Sequence, residues 1–159
     1  MRGNFICLFL GVFGVSAAFV SFANAEEIVR PFATDGCTFF ANGTLDQPGL
    51  WKDCCLEHDL HLWAGGSTES RNRTDLRLRD CVTEKGQPDI AALMYLGVTV
   101  GRHSGVRIPD KQWGNAWAVP GYHKLTLEQV KLIEADLPNY EIPADIEARF
   151  IDAIENDIE

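Results

Sequence analysis

Positively charged residues are scarce in this chain of 159 residues, which carries 14 Lys and Arg against 23 Asp and Glu. The resulting formal charge of −9 at pH 7 opposes binding to the phosphate backbone of nucleic acids and to anionic membrane surfaces. We therefore expect no nucleic acid among its partners.

Repeats, low-complexity tracts and strand-like alternation are also missing from the sequence. Downstream of the N-terminal segment, the apolar run within 87–101 is about a dozen residues long, which is too short to span a bilayer. These absences favour a mainly α-helical protein with no stable membrane span.

The N-terminal segment, residues 1–25, combines an early arginine, an apolar stretch and the small-residue ending Ala23-Asn24-Ala25. This pattern is typical of a cleaved secretory signal peptide. A membrane anchor is the alternative, but glycines and serines interrupt the apolar stretch. We expect a secreted or periplasmic protein in which residues 26–159 form a single domain.

The segment around residues 51–64 carries the strongest chemical signal. Cys54 lies one helical turn before His58, and Cys55 lies one turn before Asp59. On a helix, the cysteines can therefore fix the backbone while the histidine and the aspartate point into a cleft.

A second helix is predicted after Gly65-Gly66, because glycine ends helices and Ser67 is a good N-cap. With so short a connection, the two helices should lie antiparallel. The pairs Cys54 with Cys81 and His58 with Asp75 both have their midpoints within about one residue of this turn. One register would therefore bring both pairs together.

The cysteines predict two disulfides. Removal of Cys7 with the signal peptide leaves four, an even number in an oxidising compartment. A bond between the adjacent Cys54 and Cys55 is sterically poor. The hairpin register selects Cys54–Cys81, which leaves Cys37–Cys55.

His58 and Asp75 together suggest acid–base chemistry. A buried carboxylate fixes the tautomer of an imidazole and leaves its other nitrogen free to take a proton from water. Either residue alone would be typical of a solvated helix surface, and the joint spacing favours a pair. The alternative is a zinc site, which would be formed by Cys54, Cys55, His58 and His61. The predicted disulfides would exclude it.

The run from Cys54 to Asp59 resembles the Cys-Cys-x-x-His-Asp signature of secreted phospholipase A2. Asp75 and Cys81 resemble the acid and the cysteine of that family's partner helix, and Asp35-Gly36-Cys37-Thr38 is similar to the calcium-loop start of its prokaryotic branch. The resemblance covers about residues 35–82, and 87–159 would form a C-terminal helical extension.

The resemblance implies calcium-dependent hydrolysis of a phospholipid acyl ester. His58 would be the general base and Asp75 would orient it, while Asp59 would bind Ca²⁺. The backbone carbonyls of Gly36, Thr38 and Phe40 would supply further oxygens. Oxygen ligands suit this hard cation. The ion would then stabilise the charge that develops on the ester carbonyl.

Two departures from the family pattern leave alternatives open. The family's glycine-rich calcium loop is replaced by a run with one late glycine, so Asn42 or Asp46 could lend a side-chain oxygen instead. The family's tyrosine that helps to hold the orienting aspartate corresponds to Leu62. Either Tyr95 or Tyr122 replaces it, or Asp75 is held differently.

A non-catalytic calcium- or lipid-binding module, or an envelope interaction module, is therefore the alternative function.

Four arginines on the second helix could meet a phosphate head group, although such clusters more often form a solvated face paired with nearby acids: Arg71, Arg73, Arg77 and Arg79.

The C-terminal extension predicts further helices. A buried helix, or a helix that passes into a short extended segment, should start near Pro88 and break at Gly101–Gly105. A capping box at Thr126 should open another helix that ends near Asp136. An apolar stripe is expected on the last helix, formed by Ile146, Phe150, Ile154 and Ile158. Trp113 and Trp117 are candidates for a lipid-interface patch or for packing in the core.

Overall fold

The computed structural model describes residues 28–105, 108 and 110–158. These contain five α-helices and no β-strand beyond two isolated bridges, which confirms the mainly α prediction. The helices are α1 (Lys52–Ala64), α2 (Thr68–Glu84), α3 (Pro88–His103), α4 (Leu127–Asp136) and α5 (Ala144–Glu155), with a 3-10 turn at Leu137–Asn139. The predicted signal peptide, residues 1–25, lies outside the described residues.

The turn between α1 and α2 forms as predicted. Gly65 ends α1 with φ of 82°, and a side chain at this position would collide with the backbone of Gly114. The Ser67 side chain caps α2 by accepting a hydrogen bond from Ser70 N. Two residues distant in sequence hold the turn: Trp113 Nε1 donates to Gly66 O at 2.7 Å, and the Asp157 carboxylate accepts from both Ser67 N and Ser67 Oγ at 2.7 Å.

Both predicted disulfides are present. Cys54–Cys81 links α1 to α2, and Cys37–Cys55 ties the loop before α1 to that helix. The zinc alternative is therefore wrong, because both of its cysteines are bonded. Disulfides of this kind are typical of proteins that fold in an oxidising compartment.

The buried apolar residues form two clusters on opposite sides of α1. The larger lies between α1, α4 and α5 and is centred on Trp63, Trp117 and Phe150. The smaller surrounds the two disulfides and packs Leu78 and Val82 of α2 against α3. One face of α1 thus supports the hairpin while the other anchors it to the C-terminal helices.

The prediction of a buried third helix is wrong in two respects. α3 continues through Gly101 to His103, and only Ala91 and Met94 are buried on it. Its outer face leaves more than half of each of three apolar side chains exposed: Leu93, Leu96 and Val100. The apolar residues of α3 therefore pack on α2 along one face of the helix only. No helix in the described ranges is long and apolar enough to cross a membrane.

The C-terminal helices largely match their patterns. Thr126 and Gln129 form the predicted capping box of α4. Ile146, Phe150 and Ile154 of α5 are buried, but Ile158 lies beyond the helix end and does not extend the stripe within it.

The tryptophans belong to the core. Trp113 and Trp117 are at most 5% exposed, so a lipid-interface patch formed by them is excluded. Each indole N–H donates to a backbone carbonyl, which satisfies the one polar group that burial would otherwise leave unpaired.

Candidate active site

A cleft of about 790 Å³ opens between α1, α2, α3 and two loops, the one before α1 and the one after α3. His58 and Asp59 line it. The apolar side chains on its walls include Leu62, Leu78, Met94 and Val98, and the positively charged ones are Arg71, Arg102 and Lys111. An elongated apolar group and an anionic group can therefore be accommodated side by side.

His58 and Asp75 meet as the register predicts. His58 Nε2 lies 3.0 Å from Asp75 Oδ1, and both side chains are buried. In the described part of the chain, the other ring nitrogen, Nδ1, has no hydrogen-bond partner. An imidazole held in this way can accept a proton at Nδ1 while the carboxylate stabilises the cation that forms.

Two arginines, rather than a tyrosine, hold Asp75. Arg71 Nε lies 3.1 Å from Oδ1, and Arg102 Nη1 lies 3.5 Å from Oδ2. Tyr95 packs under Arg79 and Tyr122 stacks on Trp113 instead. Burial alone would raise the pKa of Asp75, but the His58 hydrogen bond and the Arg71 charge lower it below its usual value. Asp75 is therefore an anion that can stabilise a protonated His58.

The expectation of a solvated arginine face is wrong for Arg71. Its side chain is 7% exposed, and its guanidinium lies over the Trp113 ring at 5.2 Å from the centroid. Arg79 behaves as expected and pairs with Asp80 at 2.7 Å on the surface. Position on the helix explains the difference, because Arg71 is on the face that lines the cleft.

Asp59, the predicted calcium ligand, is bound by side chains from two other segments. Its Oδ2 accepts hydrogen bonds from Thr34 Oγ1 and from Lys111 Nζ, each at 2.7 Å. Lys111 Nζ also lies 2.7 Å from Asp35 Oδ1. Burial would lower the pKa of Lys111, but the two carboxylates raise it, and the lysine in turn lowers the pKa of Asp35.

The oxygens around Asp59 are of the kind that calcium prefers. Gly36, Thr38 and Phe40 line the same cleft, so the predicted loop and Asp59 do come together. No three His, Cys, Asp or Glu side chains form a metal-binding group in the described ranges. A calcium ion would therefore depend on carboxylate and backbone oxygens. The lysine ammonium between Asp35 and Asp59 is a cation already held by this donor set.

Asn42 braces the loop instead of offering its side-chain oxygen to a cation. Its Oδ1 accepts from Cys37 N at 2.8 Å. Gly36 adopts φ of 78°, and a Cβ there would collide with the Asn42 side chain. The loop thus reaches a defined shape without the glycine-rich run of the family it resembles.

His61, one turn after His58, is buried and neutral. Its ring lies edge-on to Phe150, and Arg77 Nη1 donates to Nε2 at 3.2 Å. Burial, reinforced by the nearby Arg77 charge, lowers its pKa to about 3.

Because the unfolded chain protonates this histidine at about pH 6.5, the free energy of unfolding should fall as the pH drops from 6.5 towards 3. The expected slope from this group is up to about 1.4 kcal/mol per pH unit. His61→Gln keeps an acceptor for Arg77 and should remove this slope in urea titrations between pH 6.5 and 4. His103→Gln, which changes an exposed histidine, is the matched control. An unchanged slope in the His61 variant would contradict the burial argument.

No family model, curated protein or solved structure matches this chain. The site therefore stands on its own geometry. Sequence reasoning placed His58, Asp59, Asp75 and the loop, and it missed the contributions of Thr34, Arg102 and Lys111. No short spacing links these residues to the motif, since Lys111 is 52 positions from Asp59.

Proposed function

We propose that the protein hydrolyses the acyl ester of a phospholipid outside the cytoplasm, with calcium, in the manner of the secreted phospholipase A2 family that its sequence resembles. The observation that carries the proposal is the buried His58–Asp75 pair at 3.0 Å, with the imidazole Nδ1 left unpaired, in a cleft with apolar and cationic walls.

His58 activates the nucleophile. A water placed at Nδ1 gives up a proton as it attacks the ester carbon, and the imidazolium then returns the proton to the leaving alkoxide. Asp75 offsets the positive charge on the ring throughout, and Arg71 keeps Asp75 ionised. General base catalysis of this kind contributes about 10²- to 10⁴-fold in rate.

Calcium would be held by Asp59 together with backbone oxygens of the loop, at Gly36, Thr38 and Phe40. When bound, the ion supplies a positive charge for the carbonyl oxygen that becomes negative during attack.

The two walls of the cleft support an amphiphilic substrate. Leu78, Met94 and Val98 offer an apolar surface to an acyl chain. The Arg71 guanidinium also lines the cleft, and its side chain is 7% exposed. A buried guanidinium that lines a cleft suits a phosphate, which accepts paired hydrogen bonds.

Gly97 should control the length of acyl chain that the cleft accepts. It lines the cleft from α3, and a Cβ there would meet no atom within 4 Å. Gly97→Leu should therefore fold, with a gain of up to about 1 kcal/mol in helix propensity, but fill part of the apolar wall. We expect cleavage of long-chain phospholipids to fall more than that of short-chain ones in kcat/KM measurements. Equal loss for both chain lengths would contradict this role.

The proposal is tested by release of fatty acid from mixed phospholipid vesicles by the purified, oxidised protein, with calcium and with chelator. Calcium-dependent release supports the hydrolase. The ion pair between Asp59 and Lys111 favours one second candidate, a lipid-binding module without turnover. That candidate predicts binding to phospholipid vesicles, with calcium or with chelator, and no release of fatty acid.

A further inference from the structure

We propose that Lys111 and calcium compete for the same site, so that the lysine ammonium is a built-in cation that the metal must displace from Asp59. The inference rests on the calcium site of the proposed function and names a residue that sets its affinity.

The geometry around Lys111 is that of a bound cation. Nζ lies 2.7 Å from Asp59 Oδ2 and 2.7 Å from Asp35 Oδ1, so it bridges two carboxylates from different segments. Calcium binds carboxylate oxygens at 2.3–2.6 Å. An ion in contact with Asp59 Oδ2 would therefore lie close to the position that Nζ now takes. Two cations repel each other strongly at such a separation, so occupancy by one excludes the other.

Lys111 also satisfies Asp59 when no metal is bound. Asp59 is buried, and a buried carboxylate is costly unless it is paired. Thr34 supplies one hydrogen bond to Oδ2, and Lys111 supplies the charge. The lysine thus offsets the charge of the ligand and orients it, but calcium must break this ion pair before it can bind.

A route for exchange exists on the Asp35 side. The Asp35 side chain is 60% exposed, whereas those of Asp59 and Lys111 are at most 13% exposed. A lysine side chain is a flexible four-carbon stem, so Nζ can swing towards Asp35 and the solvent without unfolding the loop. The competition should raise the calcium concentration at which the site fills.

Isothermal titration of calcium into the wild-type protein, Lys111→Met and Lys124→Met tests the proposal. Lys124 is an exposed lysine elsewhere on the molecule, so its variant controls for the loss of one positive charge. We expect Lys111→Met to bind calcium about tenfold more tightly than the wild type, with Lys124→Met close to the wild type. A Lys111→Met affinity no tighter than that of Lys124→Met would overturn the proposal.

A second measurement needs no variant. Lys111 should resist acylation by an amine-reactive reagent in the calcium-free wild-type protein, since its side chain is 13% exposed. Saturating calcium should release it and increase its labelling, as read by mass spectrometry of peptides, while the labelling of Lys124 stays constant. Unchanged labelling of Lys111 with calcium bound would overturn displacement.

These results are separable from the proposed hydrolysis. Tighter calcium binding by Lys111→Met without any release of fatty acid would uphold the competition and reject the enzyme. Release that depends on His58 but is indifferent to calcium, with no calcium binding by Lys111→Met, would uphold hydrolysis and reject the competition.

Discussion

Replacement of His58 by Gln is expected to lower the rate of phospholipid ester hydrolysis by about 10²- to 10⁴-fold. A glutamine amide can still donate a hydrogen bond to Asp75, but it cannot take a proton from water. Since Asp75 also keeps its ion pair with Arg71 at 3.1 Å, the buried carboxylate is not left uncompensated. The loss should therefore appear in kcat, measured with phospholipid vesicles, while the melting temperature changes little.

His103→Gln is the matched control for this experiment. His103 is exposed and lies at the end of α3, and its Nδ1 contacts the Thr99 carbonyl of the same helix. Its replacement should leave hydrolysis at the wild-type rate. Retention of full activity by the His58 variant would reject the mechanism, because no other described histidine lines the cleft.

Phe150→Ala should cause the largest loss of stability, about 3–5 kcal/mol. The ring is fully buried in the larger apolar cluster and lies 5.0 Å from His61 on α1. Truncation leaves a cavity between α1 and α5, and the two helices cannot close it without moving the Cys54–Cys81 hairpin. The expected fall in melting temperature is roughly 10–20 °C, measured by circular dichroism.

Leu45→Ala provides the comparison for Phe150→Ala. The Leu45 side chain is fully exposed, so its truncation removes no buried surface and should shift the melting temperature by no more than a degree or two. A Phe150 variant as stable as the Leu45 variant would show that α5 does not anchor the hairpin.

The parts of the fold that the sequence predicted correctly depend on local rules. A glycine that ends a helix, a serine that starts the next and a register counted from that turn were sufficient to pair Cys54 with Cys81 and His58 with Asp75. The capping box at Thr126 is equally local, since donor and acceptor are three residues apart.

The parts that were missed depend on contacts between distant segments. Nothing in the residues around Lys111 marks it as a partner of Asp59, and Arg102 was expected beyond the end of a helix rather than within it. Arg71 has the sequence context of a surface arginine, and its burial depends on the position of Trp113. The spacing thus predicted the His58–Asp75 pair, whereas tertiary packing supplies the charges around it.

The hydrogen bonds that hold the turn between α1 and α2 have a consequence for the order in which the site is built during synthesis. Asp157 holds Ser67, 90 positions earlier in the chain, and the Gly66 carbonyl accepts from Trp113. The ribosome makes the hairpin with His58 and Asp75 long before it makes these two residues. A nascent chain therefore carries the His58–Asp75 pair on a turn that lacks these two hydrogen-bonding partners until Asp157 has been synthesised.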